Sequence, residues 1–311
     1  MKKDFLTILD LSAAEVRRII DEALRLKRAQ RAGKVNRALA GRTLGLLFYK
    51  PSTRTRLSFQ AGMAQLGGAS VAINPAEIQL QRGETLEDTA RVVSRFLDGI
   101  VIRTYAQAEV EAWARAATIP VINGLTDWSH PCQILADLMT IRETGRALDR
   151  VRVAYIGDGN HVANSWVFAA GLLGFELVVA TPKGYEPDAD VVAEAQRVFR
   201  GRGAAPRLVR DPVEAARGAD ILYTDVWTSM GQEAESKRRL RAFRGFQIDA
   251  RLLSLAKRDA HVMHCLPAHR GEEIAAAVLD GPRSIVLEQA ENRLHAQKAL
   301  LIRLLGGRRK R

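Results

Sequence analysis

Apolar residues recur at helical spacing from Val16 through Ile19, Ile20, Ala23 and Leu24, behind the capping box Ser12-Ala13-Ala14-Glu15 and ahead of Gly33. This pattern predicts an amphipathic surface helix at the start of the chain. Beyond it, short apolar runs alternate with amphipathic stretches. Strand-like runs at 43–49, 70–73, 99–103 and 119–122 are separated by helical stretches at 53–66, 85–97 and 106–117. A helix from Pro131 to Arg146 follows. The alternation then restarts, with strands at 152–156, 177–180, 206–209, 221–224 and 261–264 and helices near 162–173, 188–200, 212–217 and 249–257. A last helix runs from about Asn292 to Leu305.

Strand and helix in alternation predict parallel sheets covered on both faces. The expected fold is therefore α/β, with two doubly wound parallel-sheet domains joined by helices. Residues 1–134 form the first, with the C-terminal helix 292–311 packing back on it, and residues 147–288 form the second. The length of 311 residues suits two domains, since single cores stop growing beyond roughly 250–300 residues. No internal repeat or low-complexity linker interrupts the pattern.

Composition narrows the class. Hydrophobic residues at 47% and charged ones at 26% are ordinary for a folded globular protein, which excludes disordered, collagenous and coiled-coil readings. No apolar run nears the roughly 18 residues a membrane span needs, and Met1-Lys2-Lys3-Asp4 makes a poor secretory signal. Cys132 and Cys265 lie far apart and match no Cys-x-x-Cys spacing, so a reducing, cytoplasmic location is expected rather than a disulfide scaffold. Forty-seven basic against 35 acidic residues give a net charge of +12, which favours anionic partners. The basic residues are spread over helix faces, with dense runs at Lys237-Arg238-Arg239 and Arg308-Arg309-Lys310-Arg311, and aromatics make up 6%. With little for bases to stack on, a small anion is expected rather than nucleic acid, and the runs read as solvated faces and a frayed tail.

In open parallel sheets ligands bind beyond the carboxyl ends of the strands, so the residues after each strand carry the candidate chemistry. After the first strand comes Lys50-Pro51-Ser52-Thr53-Arg54-Thr55-Arg56. Ser52 stands as an N-cap, so free backbone N–H groups, the hydroxyls of Thr53 and Thr55 and the Arg54 guanidinium gather at a helix N-terminus. Such an end favours negative charge, and the arginine fork suits phosphate. Arg103 supplies a second cation at a strand end. His130 precedes Pro131 at the mouth of the next helix, with Gln133 one turn in. His130 reads either as a structural histidine or as a hydrogen-bond donor to a carbonyl oxygen.

In the second half, Gly157-Asp158-Gly159-Asn160-His161-Val162 resembles a dinucleotide fingerprint but has Val162 where the third glycine belongs, and Thr181 follows the next strand where a ribose-binding acid is needed. A nicotinamide-dependent oxidoreductase is thus a weak alternative. Asp225 follows the fourth strand of this half and can hold an ammonium group. Cys265 follows the fifth, where a cysteine is more often a small buried hydrophobe than a nucleophile.

Five segments in order, Lys50 to Arg56, His130-Pro131-Cys132-Gln133, Asp225-Val226-Trp227-Thr228-Ser229-Met230-Gly231, His264-Cys265-Leu266-Pro267 and Glu291-Asn292-Arg293, resemble the signatures of the aspartate/ornithine carbamoyltransferase family across nearly the whole chain. The third and fourth point to its ornithine branch. The resemblance implies a carbamoyl phosphate-binding first domain and an ornithine-binding second domain. The implied reaction is carbamoyl transfer to the side-chain amine of L-ornithine, giving citrulline and phosphate without metal or organic cofactor, a reaction of arginine biosynthesis and urea-cycle type.

By the same resemblance Ser52, Thr53, Arg54 and Thr55 hold the phosphate, and Arg103, His130, Gln133 and Arg293 complete the carbamoyl phosphate site. Cys265 and Leu266 close over the substrates, and Gln79 reaches in from a neighbouring subunit, which implies a homotrimer or a multiple of trimers. His161, Asp225, Ser229 and Met230 match the ornithine contacts, with Arg103, His130, Cys265 and Asp225 nearest the chemistry. His161 departs from the family's second asparagine. Imidazole lacks an amide's paired donor and acceptor, which keeps lysine, putrescine or an acylated ornithine open as the amine.

Overall fold

The computed structural model describes residues 3–199, 205–229 and 231–306. The chain divides into two units, Met1–Met139 with Glu291–Arg311, and Thr140–Ala290.

The first unit opens with α1 (Ala13–Arg31), whose start is the expected capping box: Ser12 Oγ accepts from Glu15 N–H at 3.3 Å and Glu15 accepts in return from Ser12 N–H at 2.8 Å. Val16, Ile19, Ile20, Ala23 and Leu26 bury one face of it. Gly33 adopts φ +70°, the left-handed geometry that ends helices at little cost to glycine.

Its sheet runs β2 (Ala69–Ile73), β1 (Thr43–Phe48), β3 (Gly99–Arg103), β4 (Val121–Leu125), all parallel. Crossovers pass through α2 (Thr53–Gln65), α3 (Leu86–Phe96) and α4 (Gln107–Ala116). β3 and β4 are buried along their whole length, as strands covered on both faces must be, whereas β2 is a largely exposed edge.

β4 differs from the expected 119–122 in starting later and running on through Leu125. Asn123 stays in the strand because its side-chain amide donates to the Leu6 carbonyl at 2.9 Å and to Ser129 Oγ at 3.1 Å. The register with β3 slips by one residue at Gly124, where a Cβ would stand 3.0 Å from Val101 and 3.2 Å from the Ile102 carbonyl.

The second unit orders its parallel strands β7 (Arg207–Val209), β6 (Glu176–Ala180), β5 (Arg152–Ile156), β8 (Ile221–Thr224), β9 (His261–His264). Tyr155 and Tyr223 stack in its core with ring centroids 5.7 Å apart, and Trp166 of α6 (His161–Leu173) meets Tyr223 edge-on at 5.1 Å. α7 (Ala189–Phe199) packs on α6 at Gly171, where a Cβ would lie 2.8 Å from the Ala195 carbonyl. α8 (Pro212–Ala216), α9 (Ser236–Ala242), α10 (Ala250–Leu255) and α11 (Ala276–Leu279) complete this unit.

The helix from Pro131, α5 (Pro131–Glu143), stops short of the expected Arg146 because Gly145 turns left-handed at φ +85°. The last helix, α12 (Val286–Leu305), begins six residues ahead of the expected Asn292, so Glu291, Asn292 and Arg293 sit inside it. Neither α9 nor α11 is foreshadowed by the hydrophobic pattern; both are short. The basic tail Arg308–Arg311 lies outside the described residues. Among the described residues no helix is long and apolar enough to cross a membrane.

Candidate active site

In both sheets the chain reverses its direction of travel once, between β1 and β3 in the first and between β5 and β8 in the second. The carboxyl ends of these strand pairs are where an open parallel sheet leaves a crevice. Most of the described residues singled out by sequence stand at these strand ends.

In the first unit Phe48 pairs with Arg103 and Arg103 with Leu125, so the ends of β1, β3 and β4 lie level. Residues 50–55, Arg103 and the 126–133 segment therefore share one edge. Ser52 caps α2, its Oγ accepting from Thr55 N–H at 3.2 Å. The cap turns the first N–H groups of α2 and the positive end of its dipole toward the crevice.

Arg293 organises the floor. Its Nη2 donates to Thr55 Oγ1 at 3.0 Å and its Nη1 to Gln133 Oε1 at 2.5 Å, and Gln133 Nε2 donates in turn to Asp137 at 2.8 Å. One buried guanidinium thus ties the first turns of α2 and α5 together. Arg103, Arg293 and His130 are all buried. Taking cations out of water is costly unless an anion or a set of acceptors compensates.

The loop that presents His130 is rigidly held. Thr126 N–H donates to the Ser129 carbonyl at 3.0 Å, Ser129 N–H to Thr126 Oγ1 at 3.2 Å, and Thr126 Oγ1 to Gln107 at 2.8 Å. Lys50, also buried, reaches Asp127 of this loop at 2.5 Å and lies over the Tyr105 ring at 4.2 Å. Cys132 is buried with its thiol donating to the Asn123 carbonyl at 3.4 Å, and burial pushes its pKa up to about 12. It is a small core residue, not a nucleophile. Gln79 stands apart from these groups on an exposed single turn (Gln79–Arg82) that follows the edge strand β2.

In the second unit Tyr155 pairs with Tyr223, and Thr224 with His264, which brings the ends of β5, β8 and β9 side by side. Asp225 is buried there between two donors: Asn160 Nδ2 at 2.8 Å from Oδ2 and Cys265 Sγ at 2.9 Å from Oδ1. Asn160 is also the N-cap of α6, its Oδ1 accepting from Val162 N–H at 2.9 Å and Ala163 N–H at 3.3 Å. His161, the first residue of α6, is half-buried. Ser229 donates its backbone N–H to Gln232 Oε1 at 3.1 Å, and its hydroxyl is buried with no partner among the described residues. Met230 lies outside the described residues.

Leu266 adopts a left-handed φ of +57°, unusual for a branched side chain. It is held there by its N–H, which donates to His264 Nδ1 at 2.8 Å, while His264 Nε2 faces Glu273 at 3.1 Å, both side chains fully buried. Asp225, His264 and Cys265 offer metal-ligand atoms within 4.8 Å of one another, as do His269, Glu272 and Glu273. In the first group both ring nitrogens of His264 are already engaged, so its donor set does not fit an ion without breaking the Leu266 contact.

The residues 3–143 match the family described as "Aspartate/ornithine carbamoyltransferase, carbamoyl-P binding domain", and residues 149–304 match "Aspartate/ornithine carbamoyltransferase, Asp/Orn binding domain". The chain belongs to the aspartate/ornithine carbamoyltransferase family. It is 54% identical over 301 residues to the ornithine carbamoyltransferase of Syntrophus aciditrophicus, covering 97% of this chain and 99% of that one. It is 52% identical over 305 residues to "Ornithine carbamoyltransferase, anabolic" of Pyrococcus furiosus, covering 98% of this chain and 97% of the relative. A solved ornithine carbamoyltransferase structure from that organism superposes with a TM-score of 0.95 at 51% identity, covering 99% of this chain and 98% of that chain.

For a member of the aspartate/ornithine carbamoyltransferase family, several residues of these crevices escape a motif reading. Asn160 falls inside a quoted turn but signals only as a helix cap. Lys50 opens the first motif, but its partner Asp127 is 77 positions away, and nothing local pairs them. Arg239 sits in the basic run read above as a solvated face; it is buried instead, against Asp158 at 3.0 Å. In Asp158, burial pushes the pKa up to about 6, with Arg239 opposing the shift.

Proposed function

We propose that the protein transfers the carbamoyl group of carbamoyl phosphate to the side-chain amine of L-ornithine, giving citrulline and phosphate. The observation that carries this reading is the complementarity of the two crevices. One has buried Arg103 and Arg293 beside the N-terminus of α2, whose first turn includes Arg54, suited to a phosphate dianion. The other gathers a buried carboxylate, Asp225, beside a thiol, suited to an amine-bearing amino acid.

In this reading Ser52, Thr53, Arg54 and Thr55 receive the phosphate, and Gln133 and Arg293 hold the turn in place. Arg103, His130 and the Thr55 hydroxyl donate to the carbonyl oxygen as negative charge grows on it, the step at which fixed donors act most strongly. Ornithine's amine, with a pKa of about 10.4 like lysine's, sheds its proton before it attacks; Asp225 and Cys265 orient it or take that proton. His161, Ser229 and Met230 hold the amino-acid end. The attacking nitrogen bonds the carbonyl carbon, the carbon–oxygen bond to phosphate breaks, the nitrogen's second proton passes to the departing phosphate, and phosphate leaves toward the N-terminus of α2.

Gln79 is read as reaching carbamoyl phosphate from a neighbouring protomer of a homotrimer or a multiple of trimers. Its exposure on the turn after an open edge strand supports this, as do the exposed Val71 on β2 and Phe96 at the end of α3. The biosynthetic direction and a cytoplasmic setting are part of the same proposal. The test is a panel of amines, ornithine, lysine, putrescine and an acylated ornithine, incubated with carbamoyl phosphate and the purified protein. Citrulline from ornithine at far higher efficiency than any other product is expected; preference for another amine overturns the substrate and points to His161.

A further inference from the structure

We infer that Arg239 is a positioning residue for the amino-acid substrate, latching the segment after β8 to the turn after β5. The inference rests on the reading of those two segments as the ornithine site. Arg238 and Arg239 are neighbours in one basic run, yet the Arg238 side chain is 69% exposed and that of Arg239 only 8%. The difference is one of contacts. The Arg239 Nη1 donates to the Trp227 carbonyl at 2.9 Å and lies 3.0 Å from Asp158 Oδ2, its Nε donates to Glu235 at 3.3 Å, and its guanidinium lies over the Tyr185 ring at 5.0 Å.

These contacts join two segments that the strands alone leave separate. The Trp227 carbonyl lies two residues from Asp225 and two from Ser229. Asp158 lies two residues from Asn160, which holds the Asp225 carboxylate, and three from His161. The turn is clamped from its other side: Gly159 N–H donates to the Tyr185 carbonyl at 2.8 Å, and a Cβ on Gly159 would meet the Glu186–Pro187 backbone at 2.2 Å. Tyr185 therefore touches both the turn and the latch. A buried ion pair is weak as a source of stability, because desolvation cancels much of its attraction. A planar guanidinium that addresses the Asp158 carboxylate and the Trp227 carbonyl through Nη1 while its Nε is held by Glu235 fixes geometry instead. That geometry places Ser229, whose buried hydroxyl has no partner among the described residues.

The test is steady-state kinetics with both substrates on Arg239→Lys, Arg239→Ala and Asp158→Asn, alongside thermal melting. Arg239→Ala is expected to raise the KM for ornithine on the order of tenfold to a hundredfold, the scale on which small misplacements act. The KM for carbamoyl phosphate should stay within about twofold, since none of these contacts touches the first unit's crevice. Arg239→Lys, which keeps the charge and loses the fork, is expected to fall between. The double variant Arg239→Ala/Asp158→Asn should cost less than the product of the single effects, as for groups acting as one. A lowered melting temperature with both KM values unchanged, or with both raised equally, overturns the inference. If Arg239→Ala does not fold, an unchanged ornithine KM in folded Arg239→Lys does the same. Absence of citrulline formation in the unmodified protein would instead refute the functional reading on which the latch is built.

Discussion

Asn160 donates its side-chain amide to Asp225 across 2.8 Å while its carbonyl oxygen caps the first turn of α6. One residue therefore starts a helix and fixes the carboxylate at the end of the neighbouring strand. Separating the two tasks is a direct probe of the amine site. Asn160→Ser keeps a capping oxygen and loses the amide donor; Asn160→Ala loses both. Asn160→Ala should destabilise the fold by about 1 kcal/mol, the usual worth of a cap, and Asn160→Ser by much less. Both should raise the ornithine KM by similar factors, measured beside chemical denaturation.

Arg293 holds Thr55 and Gln133 with two separate nitrogens. Arg293→Lys keeps a cation but reaches only one of them. The KM for carbamoyl phosphate should rise about tenfold or more, given what loss of a buried charged hydrogen bond costs, while the ornithine KM changes little. Equal increases for both substrates would count against the assignment of the two crevices.

The two thiols should behave differently. Cys132 is buried, with its pKa up to about 12, whereas Cys265 is half-buried beside Asp225. Because thiolate and access control reactivity, mild alkylation of the native protein should label Cys265 and spare Cys132, by mass spectrometry of peptides. Ornithine should slow that labelling. Faster labelling of Cys132 would contradict the burial described.

Acid stability should report on His295. Burial, with Lys298 and Lys27 nearby, lowers its pKa from 6.5 to about 4 although Glu291 lies 3.3 Å away and opposes the shift. The unfolded chain then binds the proton more tightly than the folded one, so this group's contribution is present above about 6.5 and is lost as pH falls toward 4. Asp158 works in the opposite sense: raised from 3.8 to about 6, it makes stability fall as pH rises from about 4 to 6. Urea midpoints between pH 4 and 7 should therefore show His295→Gln with a flatter acid limb than the unmodified protein, and Asp158→Asn with a steeper one.

Much of the first crevice was legible because its chemistry is local. Ser52 caps α2 as its position before an amphipathic run predicts, and Pro131 opens α5 as expected. The 157–161 turn likewise leads into a helix. What resisted reading was mostly a matter of neighbours. Arg239 looks like an ordinary surface cation in a chain of net charge +12, and Lys50, though it opens the first motif, gives no sign of its partner; only burial against Asp158 and Asp127 reveals what each does. The premature end of the fourth strand at Ile122 failed for the same reason: Asn123 and Gly124 are poor strand residues, kept in β4 by Leu6, Ser129 and the close approach of Val101.

By itself the sequence determined the alternation of strands and helices, the caps, the anion-binding turn and the order of the family's motifs. These depend on contacts within a few residues, where periodicity and side-chain chemistry act directly. Strand order, β2-β1-β3-β4 and β7-β6-β5-β8-β9, was decided only in three dimensions, and with it which strand ends meet. So were the pairing of Arg293 with Thr55, 238 residues apart, and the choice of Arg239 over Arg238 as the buried cation. A repeating apolar pattern says that a segment is covered, not what covers it, and the free energy of a buried charge is set by partners that the chain brings near only when it closes.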